Sequence, residues 1–153
     1  AVRHLKKENE NFVLDLVGFF EDEYKEQVKE LEKHRIAHFY GFQSDPRPFY
    51  IEADCIVLPS YHEGMSNVLL EAAATGRPVI TSNIPGCRES VENGKSGLLV
   101  EVKNKEMLYD AMKEMLHCSR EEREQMGQAG REKMERVSER SCGGENSAES
   151  ARG

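Results

Sequence analysis

The chain has 153 residues and a formal charge of −7, with 28 acidic against 21 basic side chains, a length that suits one domain around a single core. The basic residues alternate with acids, so broad nucleic-acid binding is excluded: contact with many phosphates needs a concentrated positive surface. No apolar run approaches the roughly 20 residues needed to cross a bilayer and the stretch from Ala1 to Lys7 has no apolar signal core, so a soluble, cytoplasmic protein is expected.

Phe12 to Val17 is a β-rich apolar run ending at Gly18, the pattern of a strand covered on both faces of a parallel sheet. Tyr24, Val28 and Leu31 then recur at helical spacing among charged residues, giving an apolar stripe and a solvated face. Ile36 to Tyr40, closed by Gly41, reads as a second strand. Asp45-Pro46 supplies an N-cap and first-turn pair for a short helix carrying Phe49, Tyr50, Ile51 and Ala53. A strand from Cys55 to Leu58 follows. The loop from Pro59 to Met65 leads into a helix that ends near Gly76 and is apolar nearly all round, so it is expected to be buried.

Pro78 to Thr81 reads as the next strand, followed by a Pro85-Gly86 turn and a short helix around Arg88 to Val91. Asn93-Gly94 and Gly97 are turn signals before a strand at Leu98 to Val100. Leu108, Ala111, Met112, Met115 and Leu116 form the stripe of a helix that starts at Lys105, with the methionines as core filler. Ser119 and Glu122 have capping-box spacing for a last helix running to about Val137. The segment from Ser141 to Gly153 lacks any aliphatic side chain larger than alanine and is expected to be disordered. Strands alternating with helices in this way specify an α/β, doubly wound parallel sheet. Cys55, Cys87, Cys118 and Cys142 are widely spaced and read as reduced thiols.

Ligands of an open parallel sheet bind beyond the carboxyl ends of its strands. The loop from Pro59 to Met65 lies at such an end and enters its helix through Gly64-Met65-Ser66-Asn67, with Ser66 or Asn67 available as the cap. The first amides of that helix and its dipole can hold a phosphate without a lysine, which suits an acidic chain. Glu63 stands just before the helix and Glu71 on its second turn. A carboxylate accepts hydrogen bonds from paired hydroxyls, so each could hold a sugar, one near a reacting centre and one on a ribose. Composition alone leaves a second reading open, in which the helix is core and Gly64 and Gly76 are ordinary turn and C-cap residues. Glu71 weighs against it, because an acid in a largely apolar helix must face solvent, a partner or a ligand.

The run Glu63-Gly64-Met65-Ser66-Asn67-Val68-Leu69-Leu70-Glu71-Ala72, with Gly76-Arg77-Pro78-Val79-Ile80 and Pro85-Gly86-Cys87-Arg88-Glu89, resembles the group 1 (family four) retaining glycosyltransferases of the GT-B fold. Two glutamates with seven residues between them are the hallmark of that family, and the similarity runs from about residue 3 to 137. It takes in Phe39-Tyr40-Gly41-Phe42, Ala53-Asp54 and the segment from Asn93 to Val100. The resemblance implies a Rossmann-like, C-terminal donor-binding domain over 1–137, lacking its first strand, and a disordered tail over 138–153. By that resemblance Glu63 is the catalytic-site glutamate on the transferred sugar. The amides of Gly64, Met65, Ser66 and Asn67 face the diphosphate and sugar, Glu71 holds the ribose, and Phe42, Gln43 and Ser44 lie along the nucleobase.

The implied reaction moves a sugar from a nucleoside diphosphate to an acceptor hydroxyl with retention, in cell-surface polysaccharide or glycolipid synthesis. No metal or cofactor is implied, since the family needs no Asp-x-Asp element. Family members carry an Arg and a Lys just after the first strand of this domain, and this chain begins later, so Arg3, Lys6 and Lys7 are read as solvated helix residues. The N-terminal acceptor-binding domain is the missing partner, and peripheral membrane association of the intact enzyme is the membrane contact the resemblance allows. A chain without that domain and the cationic pair is expected to be inactive alone, and a catalytically silent nucleotide-sugar-binding fragment is the alternative. A receiver-type signalling domain shares the alternating pattern, but would need a phosphorylatable Asp at a strand end, whereas Asp54 begins its strand. His62 reads as a solvated or packing residue, and Cys87 is expected beside the donor cleft and accessible.

Overall fold

Alternating short apolar runs and amphipathic segments fold as a parallel α/β structure. The computed structural model describes residues 1–8, 11–19, 21–59 and 67–152, with side chains through Val137 and at Glu139 and Arg140. The elements in chain order are α1 (Val2–Lys7), β1 (Leu14–Val17), α2 (Lys25–Lys33, entered by a 3-10 turn at Asp22–Tyr24), β2 (Ala37–Gly41), α3 (Arg47–Glu52), β3 (Ile56–Leu58), α4 (Asn67–Ala74), β4 (Val79–Ser82), β5 (Gly97–Val100), α5 (Lys105–His117) and α6 (Arg120–Arg152).

Among the described residues all strand pairing is parallel, with β1 on β2 and β3-β4-β5 as a second group. The expected single sheet is therefore divided into a two-stranded and a three-stranded sheet. The division follows from hydrogen bonding: β1 and β3 each have one ladder partner among the described residues, so neither bridges to the other. Burial reports the same thing. β4 lies between two neighbours and is buried at every position, whereas β3 is half-buried throughout and β1 alternates between half-buried and exposed. The larger core cluster packs the three-stranded sheet against α1 and α5, and the chain just before β1 reaches it. The cluster of Leu5, Ile80, Leu98, Val100, Ala111, Met112 and Met115 takes in Phe12 from just before β1 and Val57 from β3.

The expected stripe of α5 is realised, since Ala111, Met112 and Met115 are its buried residues and Asn104 caps its first turn by accepting from the Met107 amide. The capping box is closed at both ends: Ser119 Oγ accepts from the Glu122 amide at 3.1 Å, and the Glu122 carboxylate accepts from the Ser119 amide at 2.8 Å. Ser119→Ala should therefore lower stability by about 1 kcal/mol, read as a lower urea midpoint at unchanged slope.

Three further expectations differ from the structure. Beyond Gly86 the chain makes consecutive turns, with the Cys87 and Arg88 amides both donating to the Ile84 carbonyl, and no helix forms around Arg88 to Val91. The segment is too short between Pro85 and the Asn93 bridge to propagate one. The N-cap of α3 is Pro46, and Asp45 acts one step outside it, accepting from the Arg47 amide at 3.2 Å and from its guanidinium at 2.7 Å. The last helix, expected to run to about Val137, keeps a helical backbone to Arg152. No proline interrupts that run, and the glycines within it weaken a helix by only ~1 kcal/mol each.

Candidate functional site

The carboxyl ends of β1 and β2 are closed by glycines with positive φ, +119° at Gly18 and +71° at Gly41. The Gly18 amide donates to the Gly41 carbonyl at 2.9 Å, so the two loops beyond the strands start side by side. A residue with a Cβ at Gly41 would be strained in that left-handed conformation. Phe19 and Phe42 follow directly, and their rings stack with centroids 5.3 Å apart. At the ends of the other sheet, Thr81 Oγ1 donates to the Leu58 carbonyl at 2.9 Å, and Arg88 Nε donates to Asn83 Oδ1 at 2.9 Å just past β4.

Helix α4 starts at the same side. It buries Leu69, Ala72 and Ala73, which fixes its rotation on the core. Asn67 and Glu71 are four residues apart and so share a helix face. Asn67 is exposed and Glu71 half-buried. Glu71 is not left to water alone: Tyr50 of α3, 7% exposed, sits beside it. Burial holds the Tyr50 phenol above its ordinary range, and its hydrogen bond to the Glu71 carboxylate pushes it further the same way. The buried phenol and the Glu71 carboxylate therefore interact between α3 and α4, and the carboxylate keeps lone pairs for hydroxyl donors. The apolar surroundings of Tyr50 strengthen that contact relative to water.

Of the residues expected to form the site, Asn67 and Glu71 stand together on α4, and Phe42 stands exposed at the end of β2. Gln43 turns its Nε2 onto the Tyr40 carbonyl at 3.0 Å, while Ser44 is exposed. Glu63, Gly64, Met65, Ser66 and His62 lie outside the described residues. Cys87 is corrected: it is 0% exposed, packed in the cluster of Tyr50, Leu69, Ala72, Val79 and Val91, because its turn folds inward onto α4. Cys55 is no better placed as a nucleophile, since burial pushes its thiol up to about 12. Among the described residues no group of three or more His, Cys, Asp or Glu is placed to hold a metal.

Sequence reasoning overlooked two contributors. Tyr50 was assigned to α3 without a role, although a tyrosine on the inner face of a short helix needs a hydroxyl partner. Phe19 has no role in the sequence reading, although an aromatic residue immediately after a strand-closing glycine is placed at the carboxyl end of a parallel sheet.

The family model described as glycosyl transferases group 1 matches residues 1–133. The chain belongs to that family. Among curated relatives, the capsular polysaccharide biosynthesis glycosyltransferase CapM of Staphylococcus aureus is 35% identical over 92 residues, covering 60% of this chain and 24% of the relative. The C-terminal domain of the group 1 family protein LpcC from Francisella tularensis superposes with a TM-score of 0.69 at 26% identity, over 87% of this chain and 72% of that one. Anabaena HepE, solved with UDP-glucose, gives a TM-score of 0.69 at 21% identity over 80% of this chain and 35% of that chain, which places the fold. The group 1 glycosyltransferase domain described here spans about a quarter of the length of the curated relatives it matches. Among its described residues no helix is long and apolar enough to cross a membrane.

Proposed function

We propose that this group 1 domain holds a nucleoside-diphosphate sugar. The enzyme that contains it then transfers the sugar, with retention, to an acceptor hydroxyl in cell-surface polysaccharide or glycolipid synthesis. The observation that carries the reading is the Glu71 carboxylate, half-buried on the face of α4 that also carries Asn67, with the buried Tyr50 hydroxyl close enough to interact with it. In this role Glu71 accepts from the two ribose hydroxyls. Asn67 and the amides of Gly64, Met65 and Ser66 face the diphosphate and sugar, with the helix dipole offsetting its charge. Glu63 holds hydroxyls of the sugar that leaves, so its contacts bear on the reacting centre. Phe42, Gln43 and Ser44 border the base. No metal or further cofactor enters this scheme. UDP-glucose in HepE and capsule synthesis by CapM support the substrate class and the pathway.

The division into two sheets supports a further part of the reading. β1 and β3 each keep one unpaired edge among the described residues, as a domain would if a strand contributed from elsewhere in the protein joined them into one sheet. We take residues 1–137 as the donor-binding domain. An acceptor-binding domain is its partner across the cleft, in a cytoplasmic enzyme that meets the membrane peripherally.

Sugar nucleotides should accordingly bind the 153-residue chain in a calorimetric titration. Incubation with the same donors and an acceptor should yield no transfer, because positioning of the acceptor and leaving-group stabilisation both require further groups. Robust transfer by this chain alone would contradict that division of labour.

A further inference from the structure

Phe19 and Phe42 belong to loops that follow different strands, yet their rings lie 5.3 Å apart between centroids and 8° from parallel. Neither is covered: Phe19 is 86% exposed and Phe42 63%. Large apolar rings gain free energy when removed from water, so a stacked pair left bare at the ligand end of a parallel sheet marks a surface that something planar or apolar covers. The pair is held by the backbone, since the Gly18 amide bonds the Gly41 carbonyl one residue before each ring. It is also tied to the ribose end of the site. Tyr40 of β2 meets Phe49 of α3 edge to face at 4.9 Å, and the residue after Phe49 is Tyr50, the partner of Glu71. The platform and the carboxylate therefore flank the same short helix.

We propose that the donor's base stacks on the outer face of Phe19, with Phe42 as the second layer of a three-ring stack, an inference that rests on the donor-binding reading above. Phe19 is the more exposed of the two rings. Every base has a π-face, so such a platform supplies affinity for any nucleotide and adds little choice among bases. Choice among bases then falls to polar groups at the base edge, for which Gln43 and Ser44 are the nearest side chains in sequence.

The test titrates the isotope-labelled chain with uridine diphosphate and with ribose 5-phosphate, which lacks the base, and follows amide shifts. Phe19→Ala should weaken uridine diphosphate about 5- to 150-fold, the span of one base–aromatic stack, and leave ribose 5-phosphate unchanged. Phe19→Trp should hold or raise the affinity for uridine diphosphate. Equal losses for both probes would show that the substitution acts on the loop instead of the base, and would overturn the platform. An unchanged uridine diphosphate affinity would overturn it too, and would assign the exposed rings to contact with another part of the enzyme. Failure of the unaltered chain to bind either probe would remove the donor-binding reading and this inference together.

Discussion

Gly127→Ala is expected to be among the most damaging single-methyl changes in the domain. An ideal Cβ at Gly127 of α6 would lie 1.8 Å from the Gly76 carbonyl oxygen and 2.4 Å from its carbon. Neither atom belongs to a flexible side chain. Gly76 caps α4 with φ +69° and its amide is bonded to the Ala73 carbonyl, so it cannot swing aside without unwinding the end of that helix. Alanine favours a helix over glycine by up to ~1 kcal/mol, which opposes the clash. The clash wins, because forcing atoms into a packed backbone contact costs roughly 1–3 kcal/mol or more. A loss near 2 kcal/mol corresponds to roughly 4–8 °C in melting temperature for a chain of this length. Gly130→Ala is the internal control, since its nearest neighbour is the Ser96 Cβ at 3.6 Å, an ordinary contact. That variant should melt at or above the unaltered protein. Equal midpoints for the two variants would show that α6 does not rest on the end of α4 as described.

The second large effect is expected at Glu71. Ribose hydroxyls donating to a carboxylate form charge-assisted bonds worth roughly 1.5–3 kcal/mol. Glu71→Gln should therefore weaken a nucleoside diphosphate by about 10- to 150-fold. In the enzyme that contains this domain the loss should appear mainly in the Michaelis constant, because the ribose contacts change little as the reaction proceeds. Glu63→Gln should instead lower turnover and leave diphosphate affinity nearly intact, since a free diphosphate has no sugar for Glu63 to hold. Tyr50→Phe should fall between, costing diphosphate binding roughly 0.5–1.5 kcal/mol through loss of its interaction with Glu71. Equal losses at Glu63 and Glu71, or none at either, would show that the two glutamates do not share the donor in this way.

Val79 to Ser82 was legible because a strand between two parallel neighbours is buried at every position, whereas Phe12 to Val17, expected to be covered on both faces, leaves Val13 72% and Val17 41% exposed because β1 has one ladder partner. The rotation of α4 was legible for a different reason, a lone carboxylate in an apolar helix. The split between sheets was not, because a run such as Ile56-Val57-Leu58 has the same composition whether its second edge is paired or open. Edge pairing depends on residues far away in sequence. Nor was the inward turn of Cys87, whose burial depends on the Ile84 carbonyl collecting two amides and folding the segment onto α4. The contact between Tyr50 and Glu71 spans two helices and an intervening strand, so local periodicity carries no trace of it. The stack of Phe19 on Phe42 needs the parallel register of β1 and β2, which no single segment encodes.

The central claim is that the carboxyl ends of these strands and the start of α4 bind a nucleoside diphosphate. Amide spectra recorded while uridine, guanosine and adenosine diphosphates are added to the labelled chain test it most directly. Saturable shifts are expected at Asn67, Val68 and Glu71, at Tyr50, and at Phe42 to Ser44 with at least one of the three, and UDP-glucose should compete if the uridine form binds. Saturation by none of them, or binding that moves other amides and leaves α4 and the Phe42 loop unperturbed, would contradict the account.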